Sequence, residues 1–336
     1  MSSTILGSDK HLNSVKFILV FFVVLAHTTQ YNMHEDGLKY FLFTFLSIFT
    51  MPFFIMISGY SSRKINWKKW KRSALALLLT YFAFQLTYSY PGIFEALFGL
   101  KVPEVMGNFT LFKFFFIPMG PLWYIVGLIV WRLFACIIVR FRISFIWSFS
   151  ISLAIAMGMG FLDTIIPSSR IITFFPFFVI GFFCPKDFFE KVSSIKHIKI
   201  YSFIVLTITA VLVALYAKQE YFITLFGEAL FSGYSSITSG VLHRLLFFPA
   251  ALITSICVLC LIPDTFHTWG AKSLAIYLLH PLILYPIYYG IIFTFDIKVL
   301  NFLEIPIAFI ITMICVYLSR FKIIKYYLNP LMLIKK

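Results

Sequence analysis

Acidic residues are scarce: 13 Asp and Glu stand among 336 residues, and charged side chains of both signs make up only 12%. A soluble domain of this length cannot cover its surface with so few charges, so a water-exposed globule is excluded. The acids present fall in loops or close to the ends of apolar runs, with none at the middle of one. That argues against a carrier coupled to protons or sodium, because such carriers place carboxylates near the bilayer midplane. Cysteine is sparse too. Cys136, Cys184, Cys257, Cys260 and Cys315 all sit inside apolar runs and read as small hydrophobes. Even the Cys257-x-x-Cys260 spacing reads as core filler rather than a redox or metal pair, and no metal site is expected. No fixed-period repeat, low-complexity tract or Gly/Ser-rich linker divides the chain, which predicts one domain over residues 1–336. The opening Met1-Ser-Ser-Thr-Ile-Leu-Gly-Ser-Asp-Lys10 has no small-residue cleavage site, so the first apolar run is expected to stay as a span.

Hydrophobic residues, by contrast, make up 61% of the chain, and mean hydropathy is +0.94. The expected fold class is an all-α integral membrane protein. A window of about 19 residues marks about ten spans. They lie near 16–33, 40–58, 73–92, 121–139, 145–162, 171–184, 200–217, 244–262, 273–294 and 302–319. Pro176 and Gly181 interrupt the short sixth stretch and predict a broken or deeply packed helix. Residues 105–120 are apolar but short and suit a re-entrant or interfacial segment. Most of the 28 Lys and Arg residues fall on one side if the N-terminus is cytoplasmic. The inner loops then take Arg63, Lys64, Lys68 to Arg72, Arg140, Arg142, the lysines from Lys186 to Lys199, and the basic C-terminal end, which places both termini in the cytoplasm. The net charge of +15 is accounted for by topology and anionic lipid, with no nucleic-acid partner.

One polar residue stands out in the first apolar run. His27 comes eleven residues after Lys16, with no other ionisable group between. On a helix rising ~1.5 Å per residue this puts an imidazole roughly 16 Å from a cation at the membrane face. An ionisable group at that depth is expensive and marks a functional site. Lys16 shares its face with the cluster Lys68-Lys69-Trp70-Lys71-Arg72 that opens the third span. Basic groups from two helices suit a phosphorylated ligand, Arg as a fork and Lys as a point charge. Coenzyme A has the matching shape, with phosphates at one end and a thioester at the far end of a long arm.

The same residues resemble a known family. Leu12-Asn-Ser-Val-Lys16 followed by His27-Thr-Thr is similar to the first-span signature of the membrane acyltransferase-3 family, in which a basic residue, ten residues and a histidine recur. Phe49-Thr-Met51-Pro-Phe-Phe-Ile-Met-Ile-Ser58-Gly59-Tyr resembles its second span, and Lys69-Trp-Lys-Arg72 stands where the family carries two basic residues three apart. Pro121-Leu-Trp123-Tyr124, Pro176 to Gly181, and Ser273-Leu-Ala-Ile-Tyr277-Leu-Leu-His280-Pro281 follow in the family's order. The stretches look most like the fucose 4-O-acetylase-related branch. There are two departures. Asn13 stands where many members have an acid, which leaves the histidine without an evident orienting partner. Lys16 and Lys69 replace arginines, and lysine cannot bind a phosphate bidentately.

The resemblance implies transfer of an acyl group, usually acetyl from acetyl-CoA, to a hydroxyl of a cell-surface glycan or its lipid-linked precursor in a bacterial cytoplasmic membrane. Lys16, Lys69 and Arg72 would hold the coenzyme phosphates, and His27 would act as general base, since a neutral imidazole in a dry bundle can take the proton of a sugar hydroxyl as it attacks the thioester. A covalent acyl-histidine is the rarer alternative. Ser58, Tyr124 and Tyr277 become candidate oxyanion donors because the resemblance brings their spans near the site. Trp123 and Tyr124 also read as an interfacial anchor, and His280 as a histidine bonded to a carbonyl freed by Pro281. Arg170, His243 and Arg244 mark outer span ends, lining an acceptor groove or snorkelling to headgroups, and Arg132 reads as snorkelling inward. The competing class is a polysaccharide exporter or flippase, which composition alone does not separate.

Overall fold

The computed structural model describes residues 7–30, 33, 36–89, 115, 117–162, 168–216, 231–288 and 300–331. Each of the ten expected apolar stretches carries helix. In chain order the helices are α1 Gly7–Thr29, α2 Gly37–Ser61, α3 Trp67–Tyr88, α4 Leu122–Phe141, α5 Phe145–Gly158, α6 Ser168–Thr173, α7 Phe175–Phe183, α8 Phe188–Ser193, α9 Ile198–Tyr216, α10 Ile237–Leu261, α11 His267–Gly270, α12 Ser273–Tyr285, α13 Glu304–Leu318 and α14 Lys322–Leu328. Among the described residues six helices are long and apolar enough to cross a membrane, and a seventh span is completed if the bent pair Asp264–Gly270 and Ser273–Tyr288, at 68°, counts as one. Phe145–Phe161 and Ser169–Phe183 are shorter apolar helices. The protein is therefore a multi-pass membrane protein, and a total of ten is reached only by adding these two and α3. The re-entrant reading of 105–120 falls mostly outside the described residues.

Local chemistry sets several boundaries. Asp36 caps α2 by accepting from the Leu38 and Lys39 amides, and the Asn66 side chain accepts from Lys69 N at the start of α3. That cap starts α3 at Trp67, a turn and a half before the apolar run begins at 73, so its first turns carry Lys68, Lys69, Lys71 and Arg72. The sixth stretch is broken as its proline suggests. The helix is interrupted at Phe174, between α6 and α7, and Pro176 occupies the first turn of α7, where its missing N–H costs nothing.

The short α7 is held in the core because it crosses α2 backbone to backbone. A Cβ on Gly181 would overlap the Met56 carbonyl, and one on Gly59 would overlap the Phe178 carbonyl. Small residues at a helix crossing allow this approach. Buried Phe177, Phe178 and Phe182 then fill the space around the crossing. α1 sits at the centre, contacting α2, α12, α13 and the α11 turn. Gly270 in that turn packs on the Asn13 carbonyl, and the Phe17 ring meets Phe266 at 5.5 Å and Trp269 at 5.0 Å. Near the far end of α1, Lys39 Nζ pairs with Glu304 Oε1 at 2.8 Å, both nearly inaccessible, and the Tyr288 hydroxyl donates to Glu304 Oε2 at 2.6 Å. This acid at a span end is thus neutralised inside the bundle. At the periphery, α9 buries only Ser202 and turns Phe203, Ile208 and Leu215 outward, as a lipid-facing helix does.

Candidate active site

Two cavities lie along α1. Because α1 runs unbroken from Gly7 to Thr29, Lys16 and His27 are separated by the roughly 16 Å that helical rise dictates. The upper cavity, of about 230 Å³, is lined by His27 and Gln30 of α1, Thr50 of α2, Trp123 of α4, Arg170 of α6 and Tyr277 of α12, among others. Gln30 is the orienting partner that the sequence reading lacked. Its side-chain oxygen lies 3.1 Å from His27 Nδ1. An amide oxygen only accepts, so Nδ1 carries the proton and Nε2 keeps its lone pair. Gln30 follows His27 by three residues, which puts both on one helix face, and that spacing is the signal in the sequence.

Behind His27 the His280 ring stacks at 5.3 Å between centroids and 28° between planes. His280 is fully buried, and its Nδ1–H donates to the Ile276 carbonyl at 3.1 Å, in the helix segment just before Pro281. The hydroxyls grouped as oxyanion donors are already engaged. Ser58 donates to Phe54 O at 2.9 Å, so the Tyr124 hydroxyl, 2.6 Å away, donates to Ser58. Tyr277 donates to Pro121 O at 3.0 Å. Tyr277 lines the upper cavity, while Ser58 and Tyr124 stand one ring further back, the Tyr124 and Tyr277 rings meeting at 5.3 Å. Trp123 is buried in the wall, not at an interface, with the Arg170 guanidinium 5.8 Å from its ring. Arg244 is turned elsewhere: it donates to Ala156 O at 3.1 Å, lies over the Phe231 ring and is not part of the cavity lining.

The lower cavity, of about 690 Å³, is lined by Asn13 and Lys16 of α1, Tyr60, Arg63 and Lys64 at the end of α2, and Lys186 after α7, with a few others. Lys16 Nζ lies 3.4 Å from Asn13 Oδ1. Arg63 is pinned, donating Nε to Tyr60 O at 2.9 Å and Nη1 to Cys184 O at 3.1 Å, with its guanidinium 3.5 Å from the Tyr60 ring. The Tyr60 hydroxyl in turn donates to Lys186 O at 2.7 Å. Four cations from three chain segments therefore face one space. Arg63, Lys64 and Lys186 read in the sequence as topology signals only. They meet because the glycine crossing of α2 and α7 brings both helix ends together. Lys69 sits outside this lining, exposed, with Nζ donating to Lys64 O at 3.0 Å, and Arg72 is exposed one turn on.

A basic pocket and a histidine cavity are thus strung on one helix. The profile of an acyltransferase domain, that of the acyltransferase-3 family, matches residues 9–321. The chain belongs to this family. The match takes in every residue of both cavities, and in this acyltransferase the stretch of α1 from Lys16 to His27 is the axis joining them. Searches among curated proteins and among solved structures each return no match.

Proposed function

We propose that this acyltransferase moves an acetyl group from acetyl-CoA to a sugar hydroxyl of a cell-surface polysaccharide or its lipid-linked precursor, as in fucose 4-O-acetylase-like enzymes, in a bacterial cytoplasmic membrane with both termini inside. The observation that carries the reading is the pairing of a basic cavity at one end of α1 with a cavity containing an unprotonated histidine nitrogen at the other. Lys16, Arg63, Lys64 and Lys186 would hold the phosphates, with Lys69 and Arg72 adding positive potential at the rim. The pantetheine arm would rise along α1 and present the thioester carbonyl beneath His27. The acceptor hydroxyl attacks that carbonyl as Nε2 takes its proton. The tetrahedral intermediate collapses with loss of the coenzyme thiolate, which recovers the proton from the imidazolium, leaving an O-acetyl ester and free thiol. Gln30 holds the imidazole tautomer throughout, and Arg170 supplies positive charge beside the developing oxyanion.

Radiolabelled acetyl-CoA and a glycan acceptor, with purified protein in detergent, test this. Wild type is expected to label the glycan and His27→Gln to slow labelling by about 10²–10⁴-fold, the usual share of a general base. A His27→Gln enzyme as fast as wild type contradicts the role of His27. A wild-type protein that never consumes acetyl-CoA contradicts the donor.

A further inference from the structure

Arg132 is an arginine that positive-inside topology does not explain. It lies in α4, more than two turns before exposed Arg140 at the helix end, and is only partly exposed. Its Nε donates to Ser62 Oγ at 3.3 Å, which ties it to the wall of α2 rather than sending it to the membrane surface. Among the described residues that hydroxyl is its one hydrogen-bond partner, and no carboxylate lies within ion-pair distance. A cation held partly out of water inside a helix bundle without a counter-charge is costly, and a bound anion relieves that cost.

Its position selects the anion. Ser62 is buried and stands between Ser61 and Arg63, both of which line the lower cavity. On the other side, the Ser62 hydroxyl donates to Ser58 O at 2.8 Å, and Ser58 leads through Tyr124 to Tyr277 in the upper cavity. Arg132 itself lines neither cavity, but through Ser62 it stands beside the hydrogen-bonded chain that runs from the basic pocket toward the histidine cavity. It also has what its neighbours lack. Arg63 spends Nε and Nη1 on backbone carbonyls, and lysines offer no fork. The Nη groups of Arg132 have no partner among the described residues and present the planar pair of donors that a phosphate accepts.

We propose that Arg132 binds the phosphate that joins the pantetheine arm to the nucleotide of the donor, at the point where the chain passes from the lower cavity to the upper. The assignment rests on the acetyl-CoA reading above and names the residue that would read the last charge before the neutral arm. The consequence is selectivity by position: the phosphate on the arm is recognised separately from those held by the basic pocket.

The test uses purified full-length protein and three donors: acetyl-CoA, acetyl-4′-phosphopantetheine, which keeps only the arm phosphate, and acetyl-pantetheine, which has none. Wild type is expected to prefer the phosphorylated arm over the bare one by roughly ten- to a hundredfold in kcat/KM, the worth of a charge-assisted bidentate pair. Arg132→Gln brings that ratio close to one, and Arg132→Lys restores part of it. An Arg132→Gln protein that loses rate equally on all three donors, or keeps the wild-type ratio, overturns the assignment, and the second result fits an arginine serving a lipid phosphate. If Arg132→Gln does not fold, competition on wild type decides: 4′-phosphopantetheine should block labelling from acetyl-CoA at a concentration roughly tenfold or more below that of pantetheine, and equal potency overturns the claim. Wild type that uses acetyl-CoA but ignores the arm phosphate sinks Arg132 alone, whereas wild type that accepts no acyl thioester sinks the donor reading itself.

Discussion

In the proposed reaction, His27 works through the nitrogen that Gln30 does not touch. With the Gln30 oxygen accepting from Nδ1–H, the imidazole is fixed in the tautomer whose Nε2 can accept a proton, and the ring is held against His280. Gln30→Leu should lower kcat about two- to tenfold, the worth of one hydrogen bond, while leaving KM for acetyl-CoA unchanged. A steady-state comparison with wild type checks this, and a change confined to KM would mean that Gln30 contacts the donor instead. At this scale the sequence reveals lone polar groups well and gatherings poorly. Lys16 and His27 stand out because nothing polar lies between them, and Gln30 follows at helical spacing. Arg63, Lys64 and Lys186 are ordinary loop cations until two helix ends meet, and Arg132 looks like any arginine that snorkels from a span. Ser58, Tyr124 and Tyr277 pack together, but their proton directions depend on two carbonyls, Phe54 O and Pro121 O, from different segments, which no spacing encodes.

The crossing of α2 and α7 is the element on which the lower cavity depends. Gly59 and Gly181 let two backbones touch, and the residues just beyond each glycine, from Tyr60 to Lys64 and from Cys184 to Lys186, then line the lower cavity from two sides. Gly181→Ala should force the helices apart at a cost of about 1–3 kcal/mol, as overpacking of a close-packed core does. It should be seen as a lower apparent Tm in detergent together with a raised KM for acetyl-CoA. An unchanged Tm and KM would mean that the crossing has room to spare. Hydropathy found the helices because an apolar run in a membrane must satisfy its own backbone bonds. It missed where they start and stop. Asn66 extends α3 into a basic stretch, and the sixth run splits at Phe174. Caps and kinks are decided by single polar atoms and by proline, to which a window of ~19 residues is blind.

As a whole the molecule is a lipid-facing shell around one axial helix. The shell is visible in the outward aromatic and aliphatic side chains of α5 and α9, and the axis in α1, packed by α2, α12, α13 and the α11 turn. Charge is divided along that axis, with a four-cation pocket at one end and the Lys39–Glu304 pair neutralised at the other. This asymmetry gives the proposed reaction its direction: the anionic end of the donor is drawn to one face, and the acyl group is delivered toward the opposite one. The central claim is that the two cavities divide the work, the lower binding donor and the upper performing transfer. One set of saturation curves for labelled acetyl transfer, run on wild type, Lys64→Gln/Lys186→Gln and His27→Gln, tests it most directly. The account predicts that the double variant raises KM for acetyl-CoA tenfold or more with kcat nearly kept, about 1.4 kcal/mol of donor binding or more. It predicts that His27→Gln lowers kcat with KM nearly kept. If both variants lower kcat with KM unmoved, or if the basic pair can be removed with no effect on KM, the donor does not enter by the lower cavity and the division of labour along α1 is wrong.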